Sequence, residues 1–269
     1  MFSERQKEKV FTRNPDTGVI LGAESFVVGT GKHALLMIHG WGSSPREMKV
    51  LTEKLSVKYT CYGIRLHGHG TTPNDLIPYT WEDHFKQVLE LYSQLSESHE
   101  NVSVIGFSYG AILALHLASR RKVHQLILLA PFIESPKTIG GIKENRLVPF
   151  LPDGTPNIPK TGKGPIFDPT ESKKHIIYHT MPVKSLKTVV ECVSRIKPLF
   201  HKVCCPTLIL HSIHDQTAHF EGAVTILKAI ASEDKALIAL NHSNHVITLD
   251  RDRKNVKKQV QLWLRSHSP

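Results

Sequence analysis

No run of about 18 consecutive apolar residues occurs in this chain, so no segment reads as a membrane-spanning helix. The opening stretch, MFSERQKEKVFTRNPDTG, is charged throughout and lacks the apolar centre of a secretory leader, which predicts a soluble cytoplasmic protein. Cysteine is scarce. The four present are Cys61, Cys192, Cys204 and Cys205, without a CxxC pair or a disulfide-type framework, so they read as reduced thiols mostly buried in strands or on helix faces. Acidic residues are also in deficit, 24 against 34 lysines and arginines, for a formal charge of +10. Such a balance raises nucleic acid or an anionic membrane surface as partners. The basic residues are scattered, however, and the densest groups (Arg120, Arg121, Lys122; Arg251, Arg253, Lys254, Lys257, Lys258) read as solvated helix surface or helix ends. No aromatic–basic interleaving accompanies them. The expectation is therefore no nucleic-acid partner, with weak contact to an anionic membrane surface left open.

What is present is an ordinary globular composition, 40% hydrophobic and 22% charged over 269 residues, enough for one sizeable core. Short apolar runs at 34–39, 59–64, 102–107, 125–130, 206–211 and 236–240 alternate with helical patterns at 80–96, 109–120, 217–231 and 252–265. Most runs have no polar alternation, as strands covered on both faces require. The fold class is thus α/β, a mostly parallel sheet with helices on both faces, forming one domain over 1–269. Near the start, NPDTG marks a turn, read as a hairpin leading into a strand at FVVG. There is no internal repeat. Residues 131–200 break the rhythm with Pro, Gly, Ser and Lys before an amphipathic helix at 183–197, and read as an inserted cap or lid.

The chemistry centres on Gly106-Phe107-Ser108-Tyr109-Gly110, placed between the strand VSVIG and a helical run. At such a strand-to-helix elbow a nucleophilic serine sits on strained backbone, and flanking glycines avoid collisions with neighbouring chain. A serine hydroxyl needs a base, and the base an orienting carboxylate, in the chain order Ser, acid, His on this fold. Asp215 follows the strand PTLILH and His245 follows ALIAL, both after strands expected near the sheet centre. Among 17 histidines, His211, His214, His219 and above all His242 compete with His245. Asp234, Asp250 and Asp252 compete with Asp215, though Asp234 precedes its strand and the other two read as the first turn of the last helix. Oxyanion donors are expected from the backbone N–H of Tyr109 and of Trp41, the latter in the loop His39-Gly40-Trp41-Gly42-Ser43-Ser44. A third turn, Arg65-Leu66-His67-Gly68-His69-Gly70, lacks further ligands at metal spacing and reads as structural.

Together, HGWGSS at 39–44, RLHGHG at 65–70, GFSYG at 106–110 and SNHVITLDRD at 243–252 resemble the α/β-hydrolase superfamily, in its carboxylesterase and monoacylglycerol lipase branch of small bacterial thermostable esterases. The resemblance spans about residues 30–266. It implies Ser108 as nucleophile with Asp215 and His245, and an oxyanion hole from Trp41 and Tyr109. It further implies a lid between the sixth and seventh main strands, no cofactor or metal, and short- to medium-chain esters or monoacylglycerols as substrates. Two departures stand out: HDQTAHF lacks the valine and proline common after the acid, and Ala111 replaces a third glycine. A serine triad serves thioesters, amides and peptides as well, so acyl-thioesterase, amidase and peptidase readings remain. A degenerate, non-catalytic binding protein is disfavoured by the complete set of motifs.

Overall fold

The computed structural model describes residues 11–139, 142–152, 154–155, 157–160 and 164–267. Seven strands build the main sheet: β1 (Phe26–Val28), β2 (His33–Ile38), β3 (Tyr59–Ile64), β4 (Asn101–Phe107), β5 (Leu126–Leu129), β6 (Thr207–Ser212) and β7 (Lys235–Leu240). Their spatial order is β1-β3-β2-β4-β5-β6-β7, with β1 antiparallel to β3 and every other pairing parallel. Strand β4, which leads to Ser108, is therefore central. Strands β2 and β6 are buried at every position, the polar His33, Thr207, His211 and Ser212 at their ends included, because helices cover both faces. Leu36, Ile38, Val102 and Val104 join one core cluster while Leu35, Met37, Ile105 and Phe107 join the other. Each such aliphatic side chain removed from water contributes roughly 1.5–3 kcal/mol before entropy is charged against it.

One face is covered by α1 (Trp81–Ser98), α2 (Tyr109–Ala118), α3 (Val183–Ile196) and α4 (Phe220–Ala229), the other chiefly by α5 (Arg253–Ser266). Thr80 caps α1 in a reciprocal box, its Oγ1 accepting from the Asp83 N–H at 3.4 Å and its N–H donating to Asp83 Oδ2 at 2.8 Å. Helix α2 is apolar all round and buried all round. In α5, Val256, Val260 and Leu264 form the buried stripe, and the basic residues between them lie on the outer face.

Three expectations are corrected. Strand β7 is the sheet edge rather than near the centre, which explains its half-buried pattern. The turn at NPDTG closes a lone bridge, Arg13 to Ile20, not a sheet hairpin. As the sheet gains no strand there, the insertion falls between the fifth and sixth strands in chain order instead of the sixth and seventh. Of the cysteines, Cys61 and Cys192 are buried, but Cys204 is exposed on the approach to β6 and Cys205 is half-buried. Within the insertion the elements are short, with helix Pro169–Lys174 and the two-residue pairing of Ile158–Pro159 with Thr180–Met181. Helix α3 is different: Val189, Cys192, Val193 and Ile196 belong to the same core as α1 and α2.

Candidate active site

Ser108 stands between β4 and α2 with φ 52°, one of two non-glycine residues with positive φ among the described residues; the other, Ala130, directly follows the neighbouring β5. Such a conformation costs about 1–3 kcal/mol and persists because its surroundings over-determine it. The surroundings are visible: a Cβ on Gly106 would lie 2.5 Å from the Gly110 carbonyl oxygen, and one on Gly110 2.4 Å from that of Ile38. The Ser108 N–H donates to the Leu129 carbonyl at 2.9 Å, locking the elbow to β5.

Three side chains meet at this point. Ser108 Oγ is 2.9 Å from His245 Nε2, and His245 Nδ1 is 2.7 Å from Asp215 Oδ2. All three are buried, with Ser108 6% and His245 5% exposed. Burial pushes the Asp215 carboxyl upward, but the attraction of His245 and hydrogen bonds from His211 and His245 outweigh it and hold the group below the ordinary carboxylate range. Its Oδ1 accepts the N–H groups of Thr217 and Ala218 at 2.7 and 2.8 Å. The competing His242 is exposed and only lends its N–H to Asp252, at 2.9 Å.

The rings of Trp41 and Tyr109 meet edge-to-face with centroids 5.1 Å apart. The Tyr109 hydroxyl donates to His84 Nδ1 at 3.0 Å, since His84 Nε2 is committed to the His67 carbonyl at 3.0 Å. His69 Nδ1 donates to the same carbonyl at 2.9 Å. His39 donates from Nδ1 to the Gly40 carbonyl and accepts the Leu66 N–H at Nε2. Burial drives His39 and His84 down to about 4 and His69 well below its ordinary value, so this cluster is neutral packing at pH 7. The RLHGHG turn is thus structural support for the Trp41 loop. Among the described residues no three His, Cys, Asp or Glu side chains converge as a metal site.

Further residues organise the loops, and the motifs did not reveal them. Glu47, 1% exposed, accepts the Gly40 N–H at 3.1 Å and the His175 Nε2–H at 2.7 Å, joining the Trp41 loop to the insertion. Burial raises its carboxyl, and His175, Ser43 and His39 together bring it below the ordinary value. The Tyr178 N–H donates to the Gly42 carbonyl, and its hydroxyl donates to the Gly68 carbonyl, both at 2.8 Å. On the other side, Asp250 accepts the N–H groups of Phe167, Asp168, Asn244 and Arg251, so it lies outside α5 and holds the histidine loop to the insertion. Asp252 is the N-cap position of α5, close to its expected place. A 128-residue separation between Glu47 and His175 leaves no local signal by which to find the pair.

The sheet order, the serine elbow and the loops after β6 and β7 are those of an α/β hydrolase. The chain belongs to the serine aminopeptidase S33 family of hydrolases, which it matches over residues 29–252. It is 27% identical over 252 residues to a thermostable monoacylglycerol lipase of Bacillus sp. (strain H-257), covering 93% of this chain and 97% of that one. It is likewise 27% identical over 252 residues to a carboxylesterase of Bacillus subtilis (strain 168), covering 91% and 97%. A solved structure from work on LipS and LipT, two metagenome-derived lipolytic enzymes, superposes with a TM-score of 0.85 at 25% identity, covering 93% of this chain and all of that one (100%). Among the described residues no helix is long and apolar enough to cross a membrane.

Proposed function

We propose that the protein is a serine hydrolase of carboxylic esters, acting on small-molecule esters or monoacylglycerols of short to medium acyl length. The observation that carries this reading is the continuous chain from Ser108 Oγ through His245 to Asp215, with steps of 2.9 and 2.7 Å, on a strained elbow. His245 takes the Ser108 proton as Oγ attacks the acyl carbon, and the negative charge moves to the former carbonyl oxygen. Backbone N–H groups of Trp41 and Tyr109 receive that oxyanion, the second at the first turn of α2 where the helix dipole favours negative charge. Collapse of the intermediate expels the alcohol, which leaves with the proton from His245. Water then repeats the sequence on the acyl-enzyme, releasing the acid and restoring Ser108. Asp215 orients the imidazole, and residues 131–200 form the cap that shapes the acyl pocket. The reading needs no cofactor.

The family's description also raises a peptidase. An aminopeptidase must meet the ammonium of its substrate with a free carboxylate, yet Glu47, Asp215, Asp250 and Asp252 beside these loops are all engaged by protein donors. That engagement, together with the lipase and carboxylesterase among its relatives, favours esters. The test is hydrolysis of p-nitrophenyl esters of increasing acyl length, beside monoacylglycerol, an acyl thioester and aminoacyl p-nitroanilides. Esters should be preferred, and Ser108→Ala should lose more than about a thousandfold in kcat. Faster turnover of the anilides would sink the ester reading. Failure of a serine-directed fluorophosphonate to label Ser108 would favour a non-catalytic binding protein.

A further inference from the structure

We propose that His211 is a positioning residue of this site, holding the Asp215 carboxylate on His245 through a shared Nε2–H. The inference rests on the roles given above to Ser108, His245 and Asp215. His211 lies at the C-terminal end of β6 and is fully buried. Its Nε2 is 3.1 Å from the Ala218 carbonyl oxygen and 3.1 Å from Asp215 Oδ2. Both neighbours are acceptors, so the proton resides on Nε2 and is shared between them. Asp215 Oδ2 thus receives N–H groups from His245 and His211, while Oδ1 receives those of Thr217 and Ala218. Four donors on two oxygens fill the acceptor capacity of a carboxylate.

The need for the extra donor follows from where the others originate. Both Oδ1 donors belong to the loop that carries Asp215, so they leave the carboxylate free to move with that loop. Without His211, Oδ2 would be anchored only to His245, the group it has to orient. His211 instead belongs to a strand paired on both sides by β5 and β7, and its ring is fixed edge-to-face against Phe220, with centroids 5.8 Å apart. The loop itself, Gln216-Thr217-Ala218-His219, contains no proline to stiffen its backbone. The bond from His211 to the Ala218 carbonyl closes that same loop. It therefore supplies rigidity that no proline in the loop provides.

Removing His211 should loosen the carboxylate and, through it, the orientation of the His245 ring. The measurement is the second-order rate of Ser108 labelling by a fluorophosphonate for the wild type, His211→Leu and His211→Gln. In His211→Leu the rate should fall about three- to tenfold. His211→Gln, whose amide nitrogen reaches the place of Nε2, should restore it. Should the leucine variant not fold, His211→Asn takes its place, because its amide falls short of Asp215. A labelled wild type, with the rate unchanged in the donor-less variant or with glutamine no better than leucine, overturns this inference alone. A wild type that is not labelled overturns the reading of Ser108 and this inference with it.

Discussion

Replacing Asp250 by alanine should loosen the histidine loop and the insertion together. Its carboxylate accepts the N–H groups of Phe167, Asp168, Asn244 and Arg251 at 2.8, 2.9, 2.8 and 2.9 Å, and the residue is 0% exposed. Hydrogen bonds to a charged acceptor contribute about 1.5–3 kcal/mol each, but they do not add in full once water can enter. The Asn244 N–H is fully buried and the other three are part-buried, so water replaces the carboxylate for some donors and not for Asn244. A net loss of about 3–5 kcal/mol follows, or roughly 10 °C in Tm for a domain of this size. Catalysis should fall as well. Asn244 precedes His245 and its Oδ1 accepts the Gln216 N–H at 2.9 Å, so freeing Asn244 shifts His245 and the Asp215 loop together. A displacement near 1 Å at the reacting groups costs about a hundredfold in kcat/KM. Urea unfolding followed by circular dichroism, with ester turnover on the same preparations, tests both. A variant within about 1 kcal/mol of wild type and with unaltered turnover would refute the reasoning.

Gly110→Ala would place a Cβ 2.4 Å from the Ile38 carbonyl oxygen and 2.5 Å from that of His39, forcing α2 away from β2. A loss of about 1–3 kcal/mol and a drop in fluorophosphonate labelling are expected; wild-type stability and labelling would show the elbow to be slack. Glu47→Ala should cost about 3 kcal/mol by leaving His175 and the Gly40 N–H without their buried acceptor. A double-mutant cycle with His175→Ala should give a coupling above about 1 kcal/mol, and strict additivity would deny that the pair joins the two segments. The folded-state pKa of Asp215 lies below its ordinary value, so the carboxylate stabilises the protein above the unfolded value near ~3.9, and that contribution is lost as pH falls through the folded one. Urea midpoints of the wild type should decline below about pH 4, and Asp215→Asn should flatten that part of the profile; parallel profiles would contradict it.

The strands of the sheet were legible because a strand buried on both faces is apolar at successive positions, as the runs ALLMI in β2, VIGF in β4, LILL in β5 and LIL in β6 are. The same rule misplaces β7. The run ALIAL carries no polar alternation, yet it lies at the edge, where its other neighbour is solvent and packing no longer constrains every position. The serine elbow was legible for a steric reason: a serine held at φ 52° requires small neighbours at fixed offsets, and GFSYG displays them. The insertion was far less so. Its helix α3 shows in the spacing of Leu186, Val189, Val190, Val193 and Ile196, but Ile158–Pro159 and Thr180–Met181 are too short to carry any period.

The supporting residues of the site escape a local reading because of what loops require. A segment leaving the sheet no longer has a partner strand for its N–H groups, and when it is buried each of those must find an acceptor. Here carboxylates supply them: Glu47 for Gly40, Asp215 for Thr217 and Ala218, Asp250 for four N–H groups, and Asp252 for His242. An aspartate just before a helix looks the same in sequence whether it serves the helix dipole or a loop from the far side of the molecule. Asp252 stands at the N-cap position of α5 yet turns its carboxylate to the His242 N–H and the Ser243 hydroxyl; Asp250, two residues earlier, reaches Phe167 and Asp168 in the insertion. The proposed chemistry can be read from the motifs because Ser108, Asp215 and His245 each follow a strand of the sheet. The arrangement that keeps them in register depends on which buried N–H groups lack a carbonyl, and that is decided only when the loops meet.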